Sequence, residues 1–83
     1  MAKDEAPDLS TLPGRVRYAR TLRGLSTREL GASAGLSHAT ISTLENDAAG
    51  DGVRVGTVRE LARVLGVRPE WIAFGIGPRP RNE

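Results

Sequence analysis

For chemistry the chain offers one histidine, no cysteine and a cluster of small hydroxyl groups. The cluster lies in "GLSHATISTLEN", where Ser37, His38, Ala39, Thr40, Ser42, Thr43 and Asn46 follow within ten residues. A lone His38 has no second ligand at metal spacing and no nucleophile paired with it. There is no glycine-rich phosphate loop after a strand pattern, and no carboxylate pair set for acid–base work. Catalysis, a metal and a cofactor are therefore not expected. Recognition chemistry remains. Short donors and acceptors such as imidazole, hydroxyl and carboxamide suit base edges in the major groove of DNA, where long charged chains would crowd. Ala39 could meet a thymine methyl, and is equally a good helix former.

These residues must be carried by a helix, and the flanking pattern supplies one. Ser37 is an N-cap for a helix from His38 to about Asn46, with Ile41 and Leu44 inward. Upstream, Ser26 and Glu29 form a capping box for a preceding helix whose inward residues are Leu30 and Ala34; Gly35 ends it. Two short helices joined by a glycine-containing turn make a helix-turn-helix when they cross steeply. Close crossing needs a small side chain, and Gly31 stands there although glycine inside a helix costs about 1 kcal/mol relative to alanine. Valine at that position is expected to overpack, and alanine to be tolerated.

The rest of the chain reads as three more helices. One starts after Ser10 or Thr11 with Pro13 in its first turn, carries Leu12, Val16, Ala19 and Leu22 on one face, and stops at Gly24. Another carries Val55, Val58, Leu61, Ala62 and Leu65 inward with Arg59 and Arg63 outward, and stops at Gly66. Pro69 opens a last short helix through Trp71, Ile72 and Phe74, broken by Gly75–Pro78. No strand signal, repeat or membrane-spanning run is present. Five helices in one all-α domain over residues 11–76 are expected, with a disordered arm at 1–10 and a tail at 77–83.

Charge adds a weaker hint. The chain has 83 residues and a net charge of +2, with eleven of its twelve basic residues arginine. Residues 1–10 sum to −2 and residues 11–46 to +3; Asp47 and Asp51 make a local −2, and 53–83 return to +3. Two basic segments around an acidic loop could face phosphate, or could reflect only a bias toward arginine codons. Without cysteine or a signal peptide, a cytoplasmic protein with no membrane role is expected.

"RVRYARTLRGLSTRELG", "GLSHATISTLEN" and "ELARVLGVRPEWIAFG", in that order, resemble the phage-repressor and Cro-like (Xre-type) helix-turn-helix family over residues 12–76. The resemblance implies a five-helix, lambda-repressor-like domain that binds operator DNA as a dimer, encoded by a bacterium or phage and acting at the nucleoid as a transcriptional repressor. His38, Ala39 and Thr43 match base readers. Thr27, Ser37, Thr40 and Asn46 match positions near phosphate, while Arg15, Arg17 and Arg54 are expected to supply further phosphate contacts. Arg20 and Glu45 match an arginine–glutamate pair tying the first helix to the third. A homodimer contact is expected around Trp71, Phe74 and Ile76, with Trp71 and Ile72 closing the core and Phe74 and Ile76 partly exposed. Two departures stand out: Thr27 is shorter than the family's usual glutamine, and the loop at 47–52 is longer and acidic. Those departures keep open a protein-interaction module, or an antitoxin whose acidic arm, Met1–Asp8, folds on a protein partner.

Overall fold

The computed structural model describes residues 9–46 and 54–80, and every regular element among them is a helix: α1 (Leu12–Leu22), α2 (Thr27–Ala34), α3 (His38–Asn46), α4 (Val55–Leu65) and α5 (Pro69–Phe74). Each boundary has a local cause. Thr11 caps α1, its hydroxyl accepting from the Gly14 N–H at 3.2 Å, and Pro13 occupies the first turn, where no N–H is missed. Ser26 and Glu29 form both halves of the capping box at the start of α2, at 3.0 and 2.8 Å. The hydroxyl of Ser37 accepts from the Thr40 N–H at 3.1 Å and so caps α3.

The turn between α2 and α3 is tightly closed. Gly35 is left-handed at φ 74°, a conformation that costs glycine little; the Leu36 N–H then donates back to the Gly31 carbonyl at 2.7 Å. A side chain on Gly31 would place its Cβ 2.6 Å from the Leu36 carbonyl oxygen and 3.2 Å from the Ser37 carbonyl carbon. The close approach expected at Gly31 is therefore present, against the backbone of the turn that leads into α3. The expected tolerance of alanine is corrected by the same geometry, because a methyl group already collides with backbone.

One core joins all five helices. Leu30, Ile41, Leu61, Leu65, Ile72 and Val16 are its largest fully buried side chains, so each helix contributes to it. Burial of such side chains contributes roughly 1.5–3 kcal/mol each before entropy is counted. The inward positions read for α2 and α3 are those observed. On α4, Val55 departs from the expected pattern: it begins the helix and is exposed, while Val58, Leu61, Ala62 and Leu65 are buried. Arg59 and Arg63 face water, as expected. Arg63 bonds Glu60 one turn away, and that bond, with the charge behind it, holds the Glu60 carboxyl below its usual range.

At the ends of the domain the structure revises the reading. Leu9 packs against the core, so the ordered chain starts before residue 11. The tail is partly held: the Tyr18 hydroxyl donates to the Pro80 carbonyl at 3.2 Å, and the Arg79 guanidinium lies 5.9 Å from the Tyr18 ring centroid. Residues 1–8 of the acidic arm and the acidic loop with Asp47 and Asp51 lie outside the described residues. Among the described residues, no helix is long and apolar enough to cross a membrane.

Candidate nucleic-acid interface

The outward face of α3 is assembled by three constraints on one short helix. Ile41 and Leu44 anchor its inner side in the core. The tight turn at Gly31–Ser37 fixes its start. Its last turn is fixed by charge: Arg20 Nε donates to Glu45 Oε2 at 2.6 Å and Arg20 Nη2 to Glu45 Oε1 at 3.0 Å. The remaining terminal nitrogen of Arg20 donates to the Leu25 carbonyl at 2.8 Å, in the turn between α1 and α2. The pair is the one the family resemblance implies, its bidentate geometry is seen in the structure, and its burial makes it structural: only 16% of the Arg20 side chain and 6% of the Glu45 side chain are exposed.

What α3 then shows to solvent is short and almost uncharged. His38, Ala39, Thr40, Thr43 and Asn46 are exposed and Ser42 is half-buried. The expected base-reading residues are thus accessible together on one helix, which is the geometry a groove requires. The hydroxyls of Ser37 and Thr40 lie 2.9 Å apart and share one hydrogen bond. Two hydroxyls hold two hydrogens, so one remains to donate outward, at the helix start where an anion is favoured. Asn46 is turned onto its own helix, its amide donating to the Ser42 carbonyl at 2.8 Å and, at 3.4 Å, to the Ser42 hydroxyl, so a phosphate contact by the second hydrogen of that NH2 group would displace only the longer bond.

Of the expected phosphate contacts, Arg17 and Arg54 are exposed, while Thr27 is half-buried at the start of α2. Arg15 is not on that surface. It is 5% exposed, with Nε donating to the Ile72 carbonyl at 2.8 Å, Nη1 to Leu9 at 2.8 Å and Nη2 to Ala73 at 3.1 Å. A guanidinium whose three nitrogens already bond carbonyls inside the domain is a strut between α1 and α5, and the phosphate role expected for it is withdrawn. Its register carried the signal. Position 15 stands three residues after Leu12 and four before Ala19, inside the apolar stripe of α1. Arg23 is a second strut not anticipated, donating to the Leu65 carbonyl at the end of α4 at 2.8 Å.

The expected dimer residues divide as well. Trp71 belongs to the core, 4% exposed, with its ring centroid 6.3 Å from that of Tyr18. Its place at a dimer surface is therefore corrected, because the indole is already covered by its own domain. Phe74 and Ile76 are 75% and 60% exposed.

The helix-turn-helix family pattern matches residues 16–72, from the first core residue of α1 to the last of α5. The chain belongs to this helix-turn-helix family, of the phage-repressor and Cro-like type. Among solved structures it is similar to the restriction-modification controller protein C.AhdI from Aeromonas hydrophila, at 28% identity, with 78% of this chain and 96% of that one covered and a TM-score of 0.68. It shares its fold with the DNA-binding domain of the P22 c2 repressor, at 19% identity, with coverage of 90% and 96% and a TM-score of 0.73. The same helix-turn-helix fold recurs in hydroxypropylphosphonic acid epoxidase from S. wedmorenis, at 16% identity and a TM-score of 0.70, where the match covers 88% of this chain but 38% of the epoxidase. A helix-turn-helix domain can thus be one part of a larger catalyst, so function has to be argued from α3 itself.

Proposed function

We propose that this helix-turn-helix chain is a sequence-specific DNA-binding transcriptional regulator, a repressor that reads the major groove with α3. The observation that carries the reading is the exposed, nearly uncharged face of α3 held rigidly by the buried Arg20–Glu45 pair. Membership of the family and likeness to a restriction-modification controller protein support it. In this reading His38, Ala39 and Thr43 meet base edges, while Arg17, Arg54, Thr27, Ser37, Thr40 and Asn46 meet phosphates. The protein has no catalytic role and acts in the cytoplasm, at the nucleoid. It binds as a homodimer through Phe74 and Ile76, which sets two α3 helices about 34 Å apart, one turn of B-DNA.

Selection of bound fragments from random duplex DNA, followed by titration over a range of salt, tests the reading. A selected motif with two related half-sites and an affinity that falls as salt rises is expected. His38→Ala and Thr43→Ala should each relax preference at particular base pairs, by about 1–3 kcal/mol where a contact is lost. Arg17→Ala should instead weaken all sequences alike and reduce the salt slope by roughly one unit, because a rim guanidinium neutralises phosphate in every sequence. An unchanged selected motif in both α3 variants would show that this helix does not read sequence. The interaction-module reading, with a protein as main partner, would then be the better one.

A further inference from the structure

Arg15 joins three carbonyls that lie far apart in the chain. Leu9 precedes α1, whereas Ile72 and Ala73 end α5, and the bonds to them span 2.8 to 3.1 Å. The last carbonyls of a helix have no partner within it, and α5 has only six residues to hold its direction. Arg15 supplies two of those missing partners from α1. The carbonyls it holds belong to the two residues immediately before Phe74, whose side chain is exposed, and Ile76 follows one glycine later. The guanidinium therefore fixes the backbone that aims the exposed apolar pair, without itself reaching the surface.

We infer that Arg15 is the positioning residue of the dimer surface: its bonds to Ile72, Ala73 and Leu9 set the direction in which Phe74 and Ile76 are presented. The inference rests on the dimeric reading above and deepens it. A group that served only the stability of the domain would lower its unfolding midpoint and leave the pairing of folded chains unchanged. A positioning group acts on α5 and on pairing of two chains, and leaves α2 and α3 as they were. Arg15 also carries a consequence for the arm, since the Leu9 carbonyl shares the same guanidinium: the chain entering α1 and the dimer surface are held by one side chain.

The test compares the parent with Arg15→Lys, which keeps the charge and stem but cannot span three acceptors, and with Arg15→Met, which keeps only the stem. Sedimentation equilibrium should show the dimer dissociation constant raised at least about tenfold in Arg15→Lys and further in Arg15→Met, as expected when hydrogen bonds to a charged group are lost. Backbone hydrogen exchange should quicken in α5 and not in α2 or α3. Affinity for a duplex with one half-site should stay within about threefold of the parent, while affinity for two half-sites falls with the dimer. Unchanged dimerisation in both variants would overturn the inference, and so would exchange that quickens evenly over all helices or a Lys variant that does not fold. A parent chain that remains monomeric also overturns it, and leaves DNA binding standing as a separate question. A parent that dimerises but binds no DNA would sink the DNA reading and leave the Arg15 result interpretable by sedimentation and exchange alone.

Discussion

Replacing Glu45 with alanine is expected to destabilise the domain by about 3 kcal/mol, the lower end for removing one member of a buried ion pair. Glu45 is the more deeply buried partner, and its two oxygens take two of the bonds made by Arg20. Alanine removes both acceptors and leaves the guanidinium, on a side chain 16% exposed, with the Leu25 carbonyl as the acceptor that remains from this set. A partly exposed guanidinium can recruit water, which is why the upper end of the range is not expected. Glu45→Gln should cost less, about 1–2 kcal/mol, because the amide oxygen still accepts while the charge is gone. Urea unfolding of the three chains, with unchanged slope on denaturant, measures this. An alanine variant within about 0.5 kcal/mol of the parent would reduce the pair to a surface contact, of the kind that contributes little. The same variant should bind operator DNA more weakly than its stability alone explains, since the pair fixes the last turn of α3 relative to α1.

The helices were legible because each carries its own punctuation. Capping residues, the Pro13 and Pro69 starts and the glycine stops are local signals, and the core residues repeat with a helical period. The Arg20–Glu45 pair was legible only through family resemblance, since nothing local says that residues 25 positions apart in sequence meet. Arg15 departs from its expected surface role for a physical reason. An arginine is by default a surface charge, and its burial becomes favourable only when acceptors converge on it, here the carbonyls at the end of a helix 57 and 58 residues away. Position within the apolar stripe of α1 was the available sign. Trp71 belongs to the core, as its place beside Ile72 suggests, and only its share in a dimer contact is corrected: a large apolar residue can cover a core or meet a partner, and the choice is made by neighbours such as Tyr18 that sequence spacing does not bring together. The exposed residues of α3 were the easiest part of the site to read, because their direction follows from the helical period once Ile41 and Leu44 are known to face inward.

Substitution of Gly31 should expose the same dependence on geometry in the turn itself. Two effects of opposite sign compete. Alanine raises helix propensity in α2 by about 1 kcal/mol over glycine. Against that, its Cβ would stand 2.6 Å from the Leu36 carbonyl oxygen and 3.3 Å from that of Ser37. Both oxygens are backbone, so neither can turn aside as a flexible side chain would. The turn is also drawn toward Gly31 by the bond from the Leu36 N–H to the Gly31 carbonyl, at 2.7 Å, so relief of the clash strains that bond as well. Overpacking of this kind typically costs about 1–3 kcal/mol, and the steric term should win. Gly31→Ala is expected to be net destabilising by about 1 kcal/mol, and Gly31→Val, with two further methyl groups and no propensity gain to match alanine's, by about 3 kcal/mol. Because Ser37 caps α3, the displaced turn also shifts the start of the face proposed to read bases, and affinity for the selected duplex should fall in Gly31→Ala even where the domain remains folded. Thermal or urea unfolding of the two variants beside the parent measures the first effect, and titration with selected duplex the second. An alanine variant more stable than the parent would mean that the turn yields at little cost, and the close approach at Gly31 would then not be what holds α3 in register with α2.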